Sequence, residues 1–141
     1  VTGVQTVAHP VCIVHGPGRL CAVIPTTARS VPGLCARNER VVCVFESAHG
    51  PLVLVLVGAT IVGSMATVWH CVVNPPRVGE LREWRYDDRQ IALRQGEEMG
   101  RFLLGSTVVM LFPAPAVAFN SEWAPARAIR LGEAMANFSK L

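Results

Sequence analysis

Charged and aromatic side chains are both scarce in this chain. Of its 141 residues, 16% are charged and 6% aromatic, and the formal net charge is only +3. No Lys/Arg run occurs, and aromatics are not interleaved with basic residues, which argues against a nucleic-acid partner. No Cys-x-x-Cys pair is present, so no zinc or dithiol redox motif is visible. The five cysteines (Cys12, Cys21, Cys35, Cys43 and Cys71) are odd in number and irregularly spaced, and read as reduced thiols acting as small hydrophobes. Val1 to Pro10 has neither a basic start nor a long apolar stretch and does not read as a signal peptide; an initiator methionine is also absent.

Residues 51–76 contain no Asp, Glu, Lys or Arg. A run of that length raises the possibility of a membrane span over 51–73. Gly58 and Gly63 interrupt it, Thr60, Ser64 and Thr67 add polar groups, and His70 and Pro75-Pro76 close it. Two buried strands in a hairpin explain that punctuation better.

What is abundant is apolar and aliphatic. Hydrophobic residues make up 51%, mostly Val, Ala, Leu and Ile, and frequent Val favours strands. Ten prolines and twelve glycines oppose long helices. The length suits one domain with a substantial core. The expected fold is therefore mainly β, α+β at most: a compact mixed or antiparallel domain of short strands with little helix. Residues 1–18 read as irregular. Leu20 to Ile24 reads as a short strand, and 25–39 as a loop with one helical turn at most. Arg40 to Phe45, Gly79 to Tyr86 and Ser106 to Phe112 read as strands. Ile91–Arg94 and Met99–Leu103 flank a turn at Gly96-Glu97-Glu98. Ala124 to Met135 is Ala-rich enough for a helix but is interrupted by Pro125 and Gly132.

The most informative stretch is Leu104-Gly105-Ser106-Thr107. A glycine precedes a hydroxyl nucleophile, with apolar β-formers on both sides. Taken alone, Gly-Ser-Thr fits a strand entered through a flexible glycine, its hydroxyls bonded to backbone. The wider pattern is more specific. Glu98-Met99-Gly100-Arg101-Phe102 followed by Leu104 to Val109 resembles the self-processing site of the phosphatidylserine decarboxylases. Val31-Pro32-Gly33-Leu34, Ala36 to Val41, Leu56 to Ser64, Thr67-Val68-Trp69 and Pro75-Pro76-Arg77 are similar to the bacterial form in the same order, and the similarity covers about 17–136.

That resemblance implies a chemistry. The Ser106 hydroxyl attacks the Gly105 carbonyl, the chain is cut between 105 and 106, and Ser106 becomes a pyruvoyl cofactor. The two products remain together by strand pairing. The pyruvoyl ketone forms a Schiff base with phosphatidylserine and accepts the electrons left by CO2 loss, giving phosphatidylethanolamine. Ser106 and Gly105 are the site residues, with Leu104 and Thr107 as motif support. No metal is implied. The place of action is the cytoplasmic face of a bacterial membrane, as a peripheral protein. Residues 17–141 correspond to the C-terminal part of the decarboxylase catalytic domain. Residues 1–16 stand outside it, as a shifted reading frame or a misplaced start would produce.

In the family, an upstream aspartate and a histidine in a tyrosine-histidine-arginine-x-histidine-like stretch assist processing. Neither stretch occurs in this sequence, and neither His9 nor His15 is assigned the role; a loop histidine is usually solvated. His70 reads as a core or rim histidine, with proton donation as the lesser reading. Glu97, Glu98 and Arg101 read as a charged turn. Arg37 to Arg40 reads equally as a lipid head-group contact or as an exposed ion-paired loop. Two alternatives stand beside the decarboxylase reading: a non-processing portion of that enzyme, and a small membrane protein.

Overall fold

The computed structural model describes residues 7–77, 79–88, 90–105, 107–114 and 117–138. Eleven strands and two short helices are described: β1 (Val7–Gly16), α1 (Pro25–Ser30), α2 (Leu34–Arg37), β2 (Arg40–Ser47), β3 (Leu52–Val57), β4 (Met65–Thr67), β5 (Cys71–Asn74), β6 (Arg82–Arg85), β7 (Leu93–Arg94), β8 (Gly100–Phe102), β9 (Thr107–Leu111), β10 (Val117–Phe119) and β11 (Ala136–Phe138). The molecule is mainly β with little helix, as the composition indicates. All paired strands run antiparallel.

A six-stranded sheet has the order β6-β1-β2-β3-β9, with β7 also pairing to β1; β5-β4-β8 form a three-stranded sheet and β10-β11 a two-stranded one. Alternation along β2 buries Val41, Cys43 and Phe45 and leaves the intervening positions less covered. Ile13 and Leu56 join them from the large sheet, and Met65 and Val73 from the small one; Tyr86 completes the cluster. The core thus lies where the small sheet meets the large one. Trp69 packs edge-on against Phe45, with ring centroids 5.5 Å apart.

Several local expectations are corrected. The segment read as irregular before residue 18 contains β1, the longest strand described. Pro10 sits beside a register shift in the β1–β2 ladder, between Pro10 and Cys12, and Gly16 ends the strand. Leu20 to Ile24 forms no strand; Arg19 makes a single parallel bridge to Asn38. The apolar run at 51–76 holds three strands rather than one hairpin: β3 joins the large sheet, and β4 and β5 pair in the small one. No helix among the described residues is long and apolar enough to cross a membrane. The Ala-rich segment 124–135 is not helical.

Candidate active site

The junction read from the sequence lies where the chain passes from the small sheet to the large one. Phe102 ends β8 opposite Met65, and Leu103 N–H donates to Ser64 O at 3.0 Å. Thr107 opens β9 opposite Val57. Between these anchors Leu103, Leu104 and Gly105 are exposed. A Cβ added at Gly105 would meet no atom within 4 Å, so its carbonyl carbon can be approached without side-chain obstruction. Ser106 lies outside the described residues. Leu103 is thus held at Ser64 and Thr107 at Val57, with Leu104 and Gly105 exposed in the chain that approaches the junction.

The two anchors bracket one segment, Gly58 to Ser64, that turns between β3 and β4: Val57 immediately precedes it and Ser64 ends it. Ala59 and Val62 exchange backbone hydrogen bonds of 2.7 and 2.9 Å, making a tight turn at its centre. Gly58 O accepts from Asn38 Nδ2 at 2.9 Å, and Gly63 O accepts from Asn74 Nδ2 at 2.6 Å. Both asparagines are fully buried. Asn38 Nδ2 also donates to Cys21 O, and its Oδ1 accepts from Cys21 N–H. Gly58 N–H donates to Glu39 O at 2.7 Å.

A buried charge network adjoins this segment. The Glu39 carboxylate is 2% exposed. It accepts from Arg77 Nε at 3.1 Å and from His15 Nε2 at 3.0 Å. With an acceptor-only carboxylate as partner, the proton is assigned to Nε2 of His15. A charge so deeply buried is tolerable because both oxygens are paired. Arg77 is half exposed and its guanidinium covers the Cα of Gly63.

Sequence reading missed this network. His15 is not a solvated loop histidine but a fully buried strand residue. Asn38 and Glu39 are not part of an exposed loop. No local signal could have found them, since residues 15, 39, 63, 74 and 77 meet only through the sheet topology. The charged-turn reading of Glu97, Glu98 and Arg101 agrees with the structure: Arg101 bonds the Glu98 carboxylate with both Nε and Nη2, and Glu97 caps Arg94 N–H.

The remaining histidines stand away from the junction. His70 lies in the turn beyond Thr67, at the end of the β4–β8 ladder opposite to Leu103. It is hydrogen-bonded to the Tyr86 hydroxyl and packs against Trp84. His49 lies before the start of β3, whereas the junction faces its end; it stacks on Phe138 at 3.9 Å. His9 bonds Ile91 O.

The phosphatidylserine decarboxylase family model matches residues 10–137, beginning ahead of Pro17, where the motif similarity starts. A phosphatidylserine decarboxylase proenzyme of Variovorax paradoxus is 78% identical over 129 residues, covering 92% of this chain and 46% of the relative. The proenzyme of an Azoarcus species is 72% identical over 123 residues, covering 87% and 43%. That of a Polaromonas species is 69% identical over 130 residues, covering 90% and 46%. This chain belongs to the phosphatidylserine decarboxylase family. It spans about half the length of the curated relatives it matches.

Proposed function

We propose that this chain is the C-terminal portion of a phosphatidylserine decarboxylase proenzyme that cuts itself between Gly105 and Ser106. The observation that carries this reading is the suspended junction: Leu103 and Thr107 are tied to Ser64 and Val57, while Gly105 stands open between them. Fixing both flanks and freeing the centre lets a hydroxyl reach the preceding carbonyl without disturbing either sheet.

The Ser106 hydroxyl adds to the Gly105 carbonyl carbon. The amide C–N bond breaks, leaving an ester to the serine oxygen and a free amine on Ser106. Loss of the Ser106 α-proton expels the Gly105 carboxylate from Cβ, and dehydroalanine remains. Its imine tautomer takes up water and releases ammonia, leaving a pyruvoyl end. That group supplies the electron sink for decarboxylating phosphatidylserine to phosphatidylethanolamine. The β3–β9 ladder then keeps the new end of 106–141 beside Val57 and joins the two products. The substrate is a membrane lipid, so the working place is a membrane surface, on the cytoplasmic side that the family resemblance implies.

The contrary reading is a portion of the same enzyme that does not process itself. Intact-mass measurement of the purified chain decides between them. Self-processing gives two products, 1–105 and 106–141, the latter with a blocked, hydroxylamine-sensitive end. One uncut mass after prolonged incubation overturns self-maturation of this chain and leaves the contrary reading.

A further inference from the structure

We propose that Asn38, Asn74 and the His15–Glu39–Arg77 chain are positioning residues for the cut, an inference that rests on the self-cleavage reading above. The two flanks of the junction are built alike. Thr107 faces Val57, next to Gly58, whose carbonyl is held by buried Asn38. Leu103 bonds Ser64, next to Gly63, whose carbonyl is held by buried Asn74. Each end of the scissile segment therefore hangs one residue from a glycine peptide whose orientation a buried amide fixes.

Glycine peptides rotate freely when nothing constrains them. Ala59 and Val62 are buried and anchor the middle of the segment, and Ala59 N–H bonded to Val62 O helps to orient the 58–59 peptide, but packing there does not orient the 63–64 peptide. The Asn74 side-chain amide does, and Arg77 adds a second restraint on Gly63. An added methyl at Gly63 would overlap the Arg77 guanidinium, with the central carbon 2.7 Å away and no other residue among its three nearest atoms. Arg77 is in turn oriented by Glu39, and Glu39 by His15. Turning the 63–64 peptide would displace the Ser64 Cα, which carries the carbonyl that holds Leu103, and shift one end of the junction relative to the other. A displacement of about 1 Å is enough to cost a well-aligned reaction much of its rate.

Gly63→Ala and Arg77→Ala test this, because both release the same latch by different means. Neither replaces an asparagine, and Arg77 is half exposed, so the fold should survive its removal. Two measurements are made on the 141-residue chain: amide hydrogen exchange residue by residue, and the rate at which 106–141 appears by mass. Each single variant is expected to speed exchange at Leu103 about tenfold while the β1–β2 ladder amides keep their rates. Each should slow cutting by about tenfold, with Arg77→Lys recovering part of it. The double variant should be no worse than either single one, since the two changes remove one interaction.

Unchanged exchange at Leu103 in both singles, additive effects in the double, or loosening spread evenly over the core ladders would each overturn the proposal. If the parent chain does not cut, the self-cleavage reading fails separately, and exchange at Leu103 still decides whether the latch governs the junction.

Discussion

Gly18 makes the closest backbone approach that can be tested by a single methyl group without touching the junction. The chain leaves β1 and runs against the end of α2, where Arg19 N–H donates to Arg37 O at 2.9 Å and Glu39 N–H donates to Arg19 O at 2.7 Å. A Cβ at position 18 would lie 2.6 Å from Arg37 O, Asn38 C and Glu39 N, all backbone atoms that no rotamer change can move aside. Ordinary contact requires the chain at residue 18 to retreat by about 0.8 Å. Overpacking of this kind costs about 1–3 kcal/mol. Stretching the two hydrogen bonds adds about 1 kcal/mol each at most. The reduced freedom of the unfolded chain returns about 0.4–1 kcal/mol. Gly18→Ala is therefore expected to destabilise by about 3 kcal/mol net, lowering Tm by about 10 °C for a chain of this size. Gly79 offers the control, since a Cβ there meets nothing within 4 Å; Gly79→Ala should stay within about 0.5 kcal/mol of the parent. Gly58→Ala should fall between them, its nearest contacts being 3.0 Å from Val62 O and 3.1 Å from Glu39 O. Thermal and urea denaturation measure all three. A Gly18→Ala protein that melts within about 2 °C of Gly79→Ala would refute the close-approach argument.

Two other outcomes are expected. Asn38→Ala strands Cys21 N–H, Cys21 O and Gly58 O without their side-chain partners, and should cost about 3 kcal/mol or more in urea denaturation; a loss below about 1 kcal/mol would contradict the geometry. Burial first, then the nearby Cys12, pushes the Cys43 thiol from 9.0 up to about 12. Iodoacetamide at pH 8 should therefore label exposed Cys71 first and reach Cys43 only after denaturation. The raised value also means that the neutral thiol favours the fold below pH 9, an advantage that fades as pH rises toward 12. Native labelling of Cys43 as fast as Cys71 would contradict both statements.

Much of the architecture was legible where local pattern and tertiary need agree. Arg40 to Phe45 follows one arginine with an unbroken run of Val, Cys and Phe, and became most of β2. β1 was hidden because Pro10 and Gly16 look like breakers. The ladder admits them at a register shift and at the strand end, and pairing with β2, β6 and β7 outweighs the local preference. The helix-like composition of 124–135 yielded to Pro125 and to the left-handed Gly132 and Ala126. Near the junction, that Gly105 offers no side chain to obstruct its carbonyl was legible in the sequence, while its exposure came only from the structure. The His15–Glu39–Arg77 chain was not legible: its members are ordinary residues until the sheets bring them together, and only burial reveals that Glu39 needs two partners.

The ladder between β3 and β9 has a consequence for how the processed protein would behave in solution. Among the described residues it is the strand pairing that links the two sides of the Gly105–Ser106 bond, from Val53↔Leu111 to Val57↔Thr107, while β10 and β11 pair within one side. While the chain is continuous, β9 is tethered at high effective concentration to its place beside β3. Once the bond is cut, the same contacts hold together a two-component complex governed by mass action. Its melting temperature should then depend on protein concentration, and dilution or an excess of free 106–141 peptide should exchange one component for another.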